Sequence, residues 1–172
     1  MCWFYYKEEQ ISQKKGEIQI RKIVETDFKM VRDIEQLLHD EGRKQIWPFS
    51  FQSYWEIYNP NVSFVAELNG AVVGFVFGKI VKPERKKSIF MRLHTGEPSS
   101  LHDWVGWVDM IGIHPEHHQK GIGRILLEAF YQECKLHNAV MRTVVYDSDE
   151  RFKGFLTSMG FKESNVVIYE RG

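Results

Sequence analysis

Gly121 and Gly123 stand one residue apart just before the apolar run Ile125 to Phe130, with Lys120 and Arg124 flanking them. Glycines at the head of a helix leave backbone amides uncovered where the helix dipole places roughly half a positive charge. Such a terminus suits a phosphate or pyrophosphate, and Lys120 and Arg124 add charge at its rim. Neither widespread phosphate loop fits. A dinucleotide-binding turn needs a third glycine and an early position, and a nucleotide loop needs its lysine after the glycines, whereas Lys120 precedes them.

Three histidines, His114, His117 and His118, lie just upstream around Pro115. Pro115 prevents a regular helix face from presenting them together, and no Cys or carboxylate completes a convincing set, so a solvent-facing loop is expected and no metal. Trp47, Phe49, Phe51, Tyr54 and Trp55 can wall an acceptor pocket, but their helical spacing is that of core residues. Lys82 to Lys87, with Arg85, reads as a solvated turn.

The elements that must position these residues follow from periodicity. Ile18, Ile20 and Ile23 suit a strand, and Thr26-Asp27 offers a cap for a helix through Phe28, Val31, Ile34, Leu37 and Leu38, which Trp47-Pro48-Phe49 breaks. Phe51 to Tyr58 suits a short second helix. Val62 to Leu68 and Ala71 to Val81, joined by Asn69-Gly70, carry the strongest hairpin signal. Lys82 to Asp103 is a long polar connection. The second half alternates Trp104 to Ile113 as strand, Gly121 to His137 as helix, Ala139 to Tyr146 as strand, Asp149 to Met159 as helix, then Phe161 and Val166 to Tyr169 as strand. The pattern is α/β: a mixed, mostly antiparallel sheet of about seven strands with about four helices on both faces.

At 172 residues the chain suits one domain over 17–172, with residues 1–16 as an N-terminal appendage of no clear period. Apolar residues make up 43% and charged residues 27%, as in water-soluble folds. Acidic and basic side chains cancel at 23 each, so no global field draws nucleic acid or an anionic membrane. Cys2 and Cys134 are too few for a disulfide framework and fit a reducing cytoplasm. No apolar run approaches the roughly twenty residues that span a bilayer, and Lys7-Glu8-Glu9 interrupts the apolar start before a signal-peptide core is complete.

The segment Val108 to Phe130 resembles the acetyl-CoA signature of the GNAT family of N-acyltransferases. In that family a strand, often ending in His-Pro, leads to Arg or Gln, two residues, Gly, any residue, then Gly or Ala. Here Ile113-His114-Pro115 and Gly121-Ile122-Gly123 match in register, His118 replaces the Arg or Gln, and Gln119 the Gly that often follows. More loosely, the resemblance runs from Ile18 to Tyr169.

Carried over by position, the resemblance implies a GNAT fold with acetyl-CoA as cosubstrate. Ile111, Gly112 and Ile113 would line the pantetheine like an added strand, with the Ile111 N–H facing the acetyl oxygen, where developing charge needs a donor. The amides of Gln119, Lys120, Gly121, Ile122, Gly123 and Arg124 would hold the pyrophosphate, and Asp149 stands where the family often has a CoA-contacting Asn. The family's catalytic Glu positions hold Trp107 and Val144, and its usual Tyr position holds Leu156.

An attacking ammonium must lose a proton and the departing thiolate can gain one. Strand alternation puts Asp109 on the face of Ile111 and makes it the candidate base. Tyr146, at the end of the next strand, is the candidate acid. The resulting expectation is direct transfer of acetyl from acetyl-CoA to an amine, on a small molecule or a protein, with a homodimer as an option. The alternative is a non-catalytic acyl-CoA sensor of the same fold. A structural protein without CoA leaves the glycine turn unexplained.

Overall fold

The computed structural model describes residues 17–43, 50–58, 60–82 and 104–163. In chain order these form β1 (Ile18–Lys22), α1 (Phe28–Asp40), α2 (Phe51–Tyr58), β2 (Val62–Leu68), β3 (Ala71–Val81), β4 (Trp104–Ile113), α3 (Ile122–Leu136), β5 (Ala139–Thr143) and α4 (Glu150–Ser158). Single 3-10 turns occupy Glu25–Asp27 and Pro115–His117.

The strands lie in the order β1-β2-β3-β4-β5. The first three pairs are antiparallel and β4–β5 is parallel. The tight β2–β3 hairpin turns through Asn69 and Gly70, at φ 52° and 81°, the two left-handed positions that a two-residue turn of this hand needs. Helices cover both faces. Val31, Ile34 and Leu38 of α1, with Phe51 and Tyr54 of α2, pack on Val65, Phe75 and Phe77. On the other face Ile122, Leu126, Leu127, Phe130 and Cys134 of α3 pack on Phe64, Ala66, Val76 and Val108, joined by Leu156 of α4. β2 and β3 are apolar almost continuously because both of their faces are covered.

The mixed sheet with helices on both faces matches the sequence-based expectation, and so do the element types. The strand count differs: the described residues make five strands, not about seven. Phe161 lies in no strand, and Val166 to Tyr169 fall outside the described residues, as do residues 1–16 and 83–103. β5 stops at Thr143, short of the expected Tyr146, because its ladder to β4 ends at the pair Val108–Thr143.

Two helix ends also differ from expectation. α1 ends before Trp47-Pro48, in a capping motif where Gly42 N–H donates to the His39 carbonyl and Arg43 N–H to the Leu38 carbonyl. At its start, Asp27 binds backwards: its carboxylate accepts the Val24 N–H at 2.9 Å and hydrogen bonds from Arg21 Nη1 and Nη2 at 2.7 and 2.8 Å. That pair, with Glu67 on Arg21, ties α1 to the β1–β2 edge.

Candidate functional site

β4 and β5 run side by side from Trp104 and Ala139 to Val108 and Thr143, then part. At the fork the Thr143 hydroxyl donates to the Val108 carbonyl at 3.0 Å. Beyond it, among the described residues, β4 pairs only with β3. His114 N–H donates to the Val73 carbonyl at 2.9 Å, which sets the phase of that ladder. Met110 and Gly112 therefore turn their backbone polar groups to β3, and Ile111 and Ile113 turn theirs to the open edge. An open cavity lies against this edge, walled by Val108 to Ile111, by Leu38 and His39 of α1, and by Tyr146, Asp149 and Phe152 across the fork.

At the far end of β4 the His118 ring lies 2.9 Å from the Ile113 carbonyl, so its Nε2–H must donate, because a carbonyl only accepts. His118 thereby anchors the following turn to the strand, which gives a physical role to the residue that departs from the family signature. Gln119 and Gly121 take left-handed backbone, at φ 62° and 78°, and Gly121 is the N-cap of α3. A Cβ on Gly121 would meet nothing within 4 Å, so backbone conformation and not space demands glycine there. The first amides of α3 have no helical acceptor, at the position where the sequence reading expects an anion site. Lys120 and Arg124 flank it, Lys120 Nζ at 3.2 Å from His117 Nδ1 and Arg124 at 3.4 Å from the Ser158 hydroxyl.

Asp109 sits differently from expectation. Phe77 pairs with Met110 and Gly78 with Val108, so Asp109 is the extra residue of a β-bulge. The bulge breaks the alternation: Val108 and Ile111 face the α3 core, while Met110 faces the α1–α2 core, and Asp109 reaches that same side to meet Tyr54. Asp109 is thus not on the face of Ile111, although both border the cavity. Gly78 makes the bulge feasible, since a Cβ there would lie 1.8 Å from the Trp107 carbonyl oxygen.

The fully buried Tyr54 donates its hydroxyl to Asp109 Oδ2 in a short hydrogen bond. Burial pushes the Asp109 carboxyl up from its ordinary range, with the Tyr54 hydrogen bond and the Lys79 charge pulling the other way. Burial and the adjoining carboxylate push the Tyr54 phenol up as well. Phe51, Tyr54 and Trp55 are core residues, as their spacing predicted, and Trp47 and Phe49 lie outside the described residues. What periodicity missed is the Tyr54 hydroxyl, whose only signal was that a buried phenol must find an acceptor.

Tyr146 follows β5 in irregular backbone and is 40% exposed on the cavity wall, so it is neither in a strand nor in the core. Val144 also borders the cavity, without a titratable group. Asp149 caps α4, accepting the Phe152 N–H at 3.0 Å, while its residue forms part of the wall. Leu156, at the position where a phenol was expected, is 7% exposed and packs in the α3 core, away from the lining of the cavity. The histidines differ too. Pro115 opens a 3-10 turn whose three-residue pitch stacks His114 near His117, with ring centroids 5.6 Å apart. Ligand atoms of His114, Glu116 and His117 lie within 4.8 Å of one another, so Pro115 gathers these side chains instead of separating them. His114 Nδ1 already accepts the Glu116 N–H at 3.3 Å, and Lys120 occupies the His117 side.

Residues 28–161 match the family model described as the acetyltransferase (GNAT) family. Among solved structures, an aminoglycoside N-acetyltransferase in complex with CoA is similar at TM-score 0.67 and 20% identity, over 93% of this chain and 97% of that one. The same kind of enzyme with a bisubstrate analogue joining CoA to an acetylneamine gives TM-score 0.66 and 21% identity, over 91% and 98%. A ribosomal-protein-alanine N-acetyltransferase from Escherichia coli gives 0.63 and 21%, over 86% and 79%. At these identities the likeness is one of fold. No curated protein sequence matches significantly.

Proposed function

The chain belongs to the GNAT acetyltransferase family, and from that premise we propose that the cleft along the open edge of β4 transfers acetyl from acetyl-CoA to an amine. The observation that carries this reading is the parting of β4 from β5 directly upstream of a left-handed turn and a helix N-terminus. The open edge offers the Ile111 and Ile113 polar groups to the amides of pantetheine. The turn from Gln119 to Arg124 offers amides and two cations to the pyrophosphate.

In the reaction, the amine nitrogen forms a bond to the thioester carbonyl carbon and the carbon–sulfur bond breaks. Asp109 takes the proton that the amine loses. The Ile111 N–H donates to the carbonyl oxygen as charge develops on it. Tyr146, or water beside it, returns a proton to the departing thiolate. Asp149 holds the start of α4 in place and thereby the far wall of the cleft.

The acceptor is an amine on a small molecule or on a protein. Both kinds appear among the similar structures, whose names include an aminoglycoside and a ribosomal-protein alanine enzyme. One domain over 17–172 and a cytoplasmic setting suit the two scattered cysteines. Among the described residues no helix is long and apolar enough to cross a membrane. The sensor alternative rests on the missing phenol at Leu156 and the missing Glu at Trp107 and Val144, but a leucine packed in the core says little about the cleft, where Asp109 and Tyr146 offer a base and an acid. The test is incubation with acetyl-CoA and a panel of amines, following free CoA thiol. Amine-dependent thiol release supports the enzyme, and tight CoA binding without it supports the sensor.

A further inference from the structure

We infer that Tyr54 is a positioning residue for the base: its buried hydroxyl fixes the Asp109 carboxylate at the β4 bulge and sets the pH at which that carboxylate accepts a proton. The inference rests on Asp109 being the base.

A bulge residue has no cross-strand partner, so the sheet alone does not aim its side chain. Tyr54 supplies a restraint from a different element. Its ring is fully buried, stacked on Tyr58 with centroids 5.1 Å apart and packed on Phe77 at 5.5 Å, so the phenol cannot swing away. The hydroxyl donates to Oδ2. A hydrogen bond donated to a carboxylate favours its charged form.

Two opposing influences meet at Asp109. Burial raises its pKa, which strengthens it as a base but, taken too far, leaves it protonated at neutral pH. Tyr54 holds that rise in check, with help from Lys79 of β3, whose ammonium lies 5.0 Å over the Tyr58 ring. The other titratable groups around the cavity are Glu35 and His39 of α1, Arg43 after it, and Tyr146 and Asp149 beyond β5. One face of α2 therefore restrains the base directly through Tyr54 and contacts Lys79, whose charge acts on the base, through Tyr58.

The experiment is the pH profile of kcat/KM for the full chain with acetyl-CoA and a reactive amine. Tyr54→Phe keeps the packed ring and removes the donor, so the acid limb should move up by about one pH unit, with the CoA dissociation constant unchanged. Fluorotyrosine at position 54, a stronger donor in a nearly native ring, should move the limb down and guards against a fold defect in Tyr54→Phe. Limbs that coincide with the wild type in both proteins overturn the inference. Asp109→Asn separates the premise from the inference, because a limb that survives there shows that Asp109 is not the base, whatever Tyr54 does.

Discussion

The hydroxyl of Tyr54 in α2 and the carboxylate of Asp109 in β4, 55 residues apart in sequence, share a short hydrogen bond beneath the opening between β4 and β5. The bond joins a helix on one face of the sheet to the single residue that the β4 bulge adds. Burial raises the Asp109 carboxyl where it borders the cavity wall.

Asp109→Asn should lower turnover about a hundredfold or more at neutral pH while leaving CoA affinity unchanged. Stability separates this from scaffolding. A carboxyl with a raised folded pKa binds more protons folded than unfolded between its ordinary and raised pKa, so its contribution to stability falls as pH rises through that window. Removing its charge should therefore leave the melting temperature at neutral pH unchanged or higher. A large fall in melting temperature, with activity per folded molecule retained, would make Asp109 structural.

Asp27 has the opposite sign. Arg21 and the Val24 N–H hold its folded pKa below the ordinary carboxylate range despite burial, so its stabilisation is complete above the unfolded pKa and is lost as pH falls through the folded one. Asp27→Asn should cost about 1–3 kcal/mol at neutral pH, discounted because Arg21 is partly exposed. The gap from wild type should close in acid, which denaturant melts at two pH values will measure.

Gly78→Ala tests the bulge. An added Cβ at 1.8 Å from the Trp107 carbonyl cannot be accommodated without moving β3 against β4. The variant should lose about 2 kcal/mol or more and lose turnover beyond what its unfolded fraction explains, because Asp109 and Ile111 both depend on the register there.

Acetyl-CoA should stabilise the fold by about 2.7 kcal/mol at a hundredfold excess over its dissociation constant, a melting rise on the order of 5 to 10 °C. An added Cβ at Gly123 would touch the Phe155 ring at 3.4 Å, so a substitution there also changes packing between α3 and α4. Gly121→Asp faces open space, adds a negative charge at the cap of α3, and should abolish the shift at a backbone cost of about 1–2 kcal/mol.

Tyr146 and Leu156 separate the acid from its expected place. Leu156→Phe crowds the core and should cost about 1–3 kcal/mol, with turnover per folded molecule changed less than tenfold. Tyr146→Phe, on an exposed wall, should lower turnover more than it lowers stability. Equal turnover in both variants and the wild type means that water supplies the proton or that no acid is used.

The legible parts of the molecule were those with local causes. Asn69-Gly70 dictated the hairpin, and Gly121-Ile122-Gly123 before an apolar run dictated the turn into α3. The face of Asp109 was not legible, because one inserted residue reverses a period-two argument. Gly78 within an otherwise apolar strand was the available sign of a bulge. The Tyr54 contact was hidden for another reason: helical spacing places a tyrosine and a phenylalanine alike, and the acceptor lies in a strand far along the chain. The approach of His114 to His117 was not legible because Pro115 was read only as excluding a regular helix, when it begins a 3-10 turn.

The central claim is that this cleft acetylates an amine with Asp109 as base. Its most direct test is the release of CoA thiol from acetyl-CoA on adding amine, followed across pH in the wild type and in Asp109→Asn. The account predicts amine-dependent release in the wild type, with an acid limb above the ordinary carboxylate range that is absent from the variant. Tight CoA binding without amine-dependent release, or the same acid limb in both proteins, would contradict it.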